Sequence, residues 1–135
     1  MYLLDTDTIV YLLKGHPQVR RNLAVHAADV VGTSAITLME LYYGAFKSER
    51  VAGNLARIRA LEKGVKIWDP GREVAEVFGV LKAGLESEGK RLDDFDLVIA
   101  ACALSNDLTL VTNNEAHFGR VRGLRLENWA AETPV

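Results

Sequence analysis

The sequence predicts an α/β protein: a central, mostly parallel sheet of about five strands flanked by helices. Short, wholly apolar runs recur along the chain, as strands covered on both faces of a sheet read. These runs alternate with helical patterns from one end to the other, which predicts parallel pairing through right-handed crossovers. With no internal repeat, linker or low-complexity stretch in 135 residues, the chain reads as one domain, 1–135.

The first strand is expected at Tyr2 to Leu4. Thr8 can cap a helix carrying Ile9, Val10, Leu12 and Leu13, which Gly15 ends. Pro17 suits the first turn of a second helix running to about Ala27. Val30 and Val31 mark strand two, and Thr33 or Ser34 precedes a helix whose Ile36, Met39, Glu40, Tyr43 and Gly44 share one face. Glu49 to Glu62 continues as helix, and Val65 to Trp68 is strand three. Pro70 opens a long amphipathic helix with Val74, Val77, Phe78, Leu81 and Leu85 as its buried stripe, ended by Gly89. Asp93 to Asp96 starts another helix with the apolar body LVIAACAL, and Leu108 to Thr112 and Leu124 to Leu126 are the last strands.

Composition narrows the class. Apolar residues make up 49% and charged residues 25%, ordinary values for a chain that buries a conventional core. Cys102 is the sole cysteine, so no intrachain disulfide is possible and a reducing compartment is expected. The opening MYLLD lacks the basic and apolar regions of a signal peptide, and no apolar run is long enough to cross a bilayer. The expectation is a cytoplasmic protein without membrane contact. The net charge of −2 does not exclude a nucleic-acid partner, because a carboxylate site concentrates negative charge that cations cancel. Lys14, Arg20, Arg21 and Lys47 are candidates for phosphate contacts, and Tyr42, Tyr43 and Phe46 for partner contacts or core.

In a parallel sheet, ligands bind in the crevice beyond the carboxyl ends of the strands. Asp5 and Asp7 directly follow the first strand, and Thr112, Asn113 and Asn114 directly follow the fourth. Asp93, Asp94 and Asp96 open the helix that leads into that fourth strand. Each acid also has a purely structural role open to it, as turn former, helix cap or dipole partner. Glu40 is the least ordinary, because a carboxylate on an apolar helix face needs a partner. A cation shared with Asp5 and Asp96 would be one. His16, His26 and His117 are scattered, so zinc is not expected, and oxygen-only ligands select Mg²⁺ or Mn²⁺. Carboxylates around such an ion suit phosphodiester hydrolysis.

Four segments in order then resemble the PIN-domain nucleases, and among them the VapC toxins of toxin–antitoxin pairs: LLDTDTIVYLLKG, SAITLMELYYGA, LDDFDLVIAACAL and LTLVTNNEAHFGRVRGLRLENW. They span essentially the whole chain. The resemblance implies a PIN-like three-layer fold in which Asp5 and Asp96 hold Mg²⁺, with Mn²⁺ able to substitute, and Glu40 completes the site. Thr112 matches the hydroxyl residue that the family sets beside the metal. Asn114 stands where many members carry a fourth acid; an amide orients water or gives one neutral oxygen but supplies no charge. The resemblance further implies an RNA substrate, a homodimer, and a VapB-like antitoxin that blocks the site and brings the pair to operator DNA. Two other readings attach to the same residues. One is a PIN-like binding or regulatory module; the other is a haloacid-dehalogenase-like phosphatase with Asp5 as nucleophile and Asp7 as acid/base.

Overall fold

Five short strands lie side by side in one all-parallel sheet in the order β3-β2-β1-β4-β5. The computed structural model describes residues 1–131; the last part of the expected domain, 132–135, lies outside the described residues. Along the chain the elements are β1 (Tyr2–Leu4), α1 (Thr6–Leu13), α2 (Pro17–Val25), β2 (Val31–Ser34), α3 (Ala35–Lys47) and α4 (Val51–Gly64). They continue with β3 (Lys66–Trp68), α5 (Arg72–Ser87), α6 (Asp94–Ser105), β4 (Thr109–Val111), α7 (Glu115–Phe118) and β5 (Leu126–Glu127).

Side chains alternate across a strand, so neighbouring residues feed opposite layers. Leu3 and Leu110 face a core closed by α5 and α6, with Val74, Leu85, Leu97 and Phe118. Leu4 and Val111 face the other core, closed by α1 to α4 with Ile9, Val19, Leu41, Ala45, Ile58 and Trp129. The α6 body from Ile99 to Ala103 is buried all round, as a helix with no polar face must be. Its small residues let α6 pack closely beside α5. Gly32 serves the same end within the sheet, where a Cβ would fall 2.1 Å from the Lys66 carbonyl oxygen. Among the described residues no helix is long and apolar enough to cross a membrane.

Strand–helix alternation and element order agree with the sequence reading, while three details differ. Helix α1 begins three residues earlier than expected, because Asp5 rather than Thr8 is its N-cap and accepts the Thr8 amide at 2.9 Å. An acid just after a strand is already in the extended backbone that an N-cap requires. The buried face of α3 is Ile36, Thr37, Leu41 and Ala45, whereas Met39 and Tyr43 are exposed. The apolar residues on α3 outnumber the positions that the sheet covers, so periodicity alone selected the wrong stripe. The single turn α7 was not anticipated, being too short for a periodic signal.

Candidate active site

Strand order reverses between β1 and β4: the chain leaves β1 toward β2 and β3, then returns to pair β4 on the other side of β1. Loops diverge at such a point and leave a crevice at the carboxyl edge. Asp5 and Thr112, each the residue after its strand, meet there. The Asp5 amide donates to the Val111 carbonyl at 3.0 Å and the Thr8 hydroxyl to the same oxygen at 3.1 Å, stitching α1 to the end of β4. Thr112 is fully buried; its hydroxyl accepts the Asn114 amide at 2.9 Å and lies beside the Asp5 carboxylate, whose charged form it favours.

Burial raises the Asp5 carboxyl above the usual range, and bonds from Thr112 and from the Thr8 amide pull it partly back. Asp96, in the first turn of α6, is pushed up to about 6. Burial is the largest cause, followed by the negative charges of Asp93, Glu40 and Asp5, with His117 opposing them. Carboxylates from the N-cap of α1, from α3 and from α6 therefore share one field although they lie up to ninety-one positions apart in the chain. Among the described residues no lysine or arginine forms a salt bridge with Asp5, Glu40 or Asp96. Nor do any three His, Cys, Asp or Glu side chains among them converge as a ready metal cage.

The remaining acids separate by role. Asp94 turns away to Lys82 at 2.9 Å, and Asp93 occupies the N-cap position of α6 without making a cap bond. Asp7 sits in the exposed first turn of α1, where it adds to the negative field at Asp5. Asn114 precedes α7, its side-chain amide 2.9 Å from Nδ1 of His117. Sequence reasoning missed two contributors. His117 was set aside as an isolated histidine, and its spacing of three from Asn114 was the available signal. Thr6 carried no signal beyond following Asp5, yet its hydroxyl donates to Glu40 Oε1 at 2.8 Å.

Comparison with known proteins fits this geometry. A PIN domain model matches residues 2–124. The chain belongs to the PIN-domain family. Within it the chain is similar to several VapC proteins. Ribonuclease VapC2 of Haemophilus influenzae is 41% identical over 95% of this chain and 97% of its own. The tRNA(fMet)-specific endonuclease VapC of Shigella flexneri is 36% identical over 96% and 98%. In structure, VapBC2 of Rickettsia felis bound to a DNA fragment from its promoter superposes with a TM-score of 0.90 at 35% identity, covering 95% of this chain and 98% of that one. The match favours the nuclease reading over the phosphatase.

The cations placed by sequence fall unevenly around this PIN-domain crevice. Lys14 lines a groove of about 510 Å³ together with Thr6 and Glu40, and Arg57 from α4 joins it there. Arg20 instead lines a hollow with Val31, Gly64 and Val65, at the amino ends of β2 and β3 and so on the opposite edge. Lys47 rests over the Tyr43 ring, 5.5 Å from its centre. Of the aromatic candidates, Tyr42 packs against the core and donates to Glu62 at 2.7 Å, whereas Tyr43 and Phe46 are exposed.

Proposed function

We propose that this PIN domain is a metal-dependent endoribonuclease, the toxin of a type II toxin–antitoxin pair, which hydrolyses RNA phosphodiester bonds at Asp5, Glu40 and Asp96. The observation that carries the reading is that the Asp5, Glu40 and Asp96 carboxylates share one field, with no salt bridge to any of the three among the described residues, in a chain similar over nearly its whole length to ribonucleases of the VapC kind. Such a donor set suits a hard cation that keeps several of its waters and so needs no preformed cage. When bound, Mg²⁺, or Mn²⁺ in its place, supplies the Lewis acidity that activates water and offsets charge building on the phosphate.

The chain's own groups do the rest. Asp5 and Asp96 are the core ligands, and Glu40 completes the shell or orients the attacking water. Thr112 holds the Asp5 carboxylate in place, while the Asn114 amide and His117 face solvent where water or a phosphate oxygen can be positioned. Lys14, at the rim beside Glu40, is placed to meet a phosphate of the strand.

The relatives supply the partners. The Rickettsia felis structure is a VapBC assembly on promoter DNA, which supports a VapB-like antitoxin for this chain and DNA contact through that antitoxin. A homodimer and a cytoplasmic location complete the reading. Purified, antitoxin-free protein is incubated with total RNA in Mg²⁺, Mn²⁺ or EDTA, with Asp5→Asn as control. Discrete products that require the metal and vanish in the variant are expected. Intact RNA with folded, metal-saturated protein would favour a binding module instead.

A further inference from the structure

Glu40 is tied to α1 by a chain of hydroxyls whose direction can be worked out by counting protons. Thr6 Oγ1 lies 2.8 Å from Glu40 Oε1 and 3.1 Å from Thr37 Oγ1. Thr37 Oγ1 lies 3.5 Å from Ser34 Oγ, which also accepts the Thr37 amide at 3.1 Å as the N-cap of α3. Each hydroxyl carries one hydrogen, and an ionised carboxylate only accepts. Thr6 must therefore give its hydrogen to Glu40, and its contact with Thr37 is satisfied only if Thr37 donates to Thr6. Thr37 then has none left for Ser34, so Ser34 donates to Thr37. The order Thr37 to Thr6 to Glu40 follows from the carboxylate end, and the longer 3.5 Å contact with Ser34 is compatible with it. Ser34 and Thr37 are fully buried, so water does not compete at that end of the chain, while Thr6 and Glu40 are half-buried; hydroxyls aligned in one direction polarise one another.

We propose that Thr6 is a positioning residue for Glu40, holding Oε1 and so fixing the carboxylate within the field it shares with Asp96, with Thr37 fixing the direction of the Thr6 hydroxyl. Thr6 is the neighbour of Asp5, so the same bond sets the spacing between the α1 and α3 carboxylates. This rests on the metal-dependent reading above. The side chain of Thr6 touches neither RNA nor ion; it acts through Glu40, as the groups that orient metal ligands do.

The test measures binding of Mn²⁺ alone to the RNA-free protein by calorimetry, in wild type, Thr6→Val, Thr6→Ser and Glu40→Gln. Valine keeps the shape of threonine without the hydroxyl, and serine keeps the hydroxyl. The expected result is a loss of about 10-fold or more in Mn²⁺ affinity for Thr6→Val, with most of it restored in Thr6→Ser. In the Glu40→Gln background, Thr6→Val should add nothing further. Wild-type affinity in folded Thr6→Val, or an equal loss in Thr6→Ser, overturns the proposal while leaving the nuclease reading intact. If Thr6→Val does not fold, Thr37→Val removes the preceding link and must weaken Mn²⁺ binding in the same direction. Wild-type protein that binds no Mn²⁺ at all overturns both the proposal and the reading beneath it.

Discussion

Replacing Asp96 by asparagine should make the metal-free protein more stable while removing its function. The carboxyl of Asp96 is pushed from its ordinary 3.8 to about 6 by burial and by Asp93, Glu40 and Asp5. At ~1.4 kcal/mol per pKa unit, holding that charge in the folded state opposes folding by at most ~3 kcal/mol. Asp96 is only partly buried, so solvent screening lowers the figure to ~1–2 kcal/mol. For a domain of this size that corresponds to a rise of roughly 3–8 °C in the melting temperature of Asp96→Asn.

The pH dependence gives the sharper check. Above about 6 the folded wild type carries the unfavourable charge and the variant's advantage is complete. As pH falls from 6 toward 3.8 the folded wild type takes up a proton that the unfolded chain does not, so the wild type gains stability and the gap closes. Thermal unfolding of both proteins in EDTA at pH 7.5 and pH 4.5 reads this directly. Adding Mg²⁺ at pH 7.5 should then stabilise the wild type by mass action and leave the variant behind. A variant no more stable than wild type in EDTA at pH 7.5, or a gap unchanged at pH 4.5, would refute the electrostatic account.

Two further outcomes follow from the same geometry. Asp5→Asn keeps a good N-cap for α1, so RNA cleavage should be lost with no fall in melting temperature; a large fall would mean that the Asp5 charge serves the fold. Gly32→Ala should destabilise by about 3 kcal/mol or more in urea unfolding, because its Cβ would meet the Lys66 carbonyl oxygen at 2.1 Å and the Trp68 ring at 2.7 Å. A wild-type urea midpoint would show that β2 and β3 can separate at no cost.

The linear chain determined what depends on near neighbours. Apolar runs and breakers are local, so Tyr2–Leu4, a helix start just after Thr33 or Ser34 and the end of α5 before Gly89, with φ 69°, were all legible. The acids after strands were legible too, because every parallel strand delivers its next residue to one edge. Tertiary structure decided the rest. Periodicity on α3 could not tell which of its apolar stripes the sheet would cover, so Met39 and Tyr43 were assigned inward and lie in solvent. Strand order placed β1 between β2 and β4, and only that pairing brings Asp5 to Thr112. The bond from Thr6 to Glu40 joins residues thirty-four positions apart. Such a contact depends on where two helices settle on a sheet, which is a property of packing volume and register rather than of any local pattern.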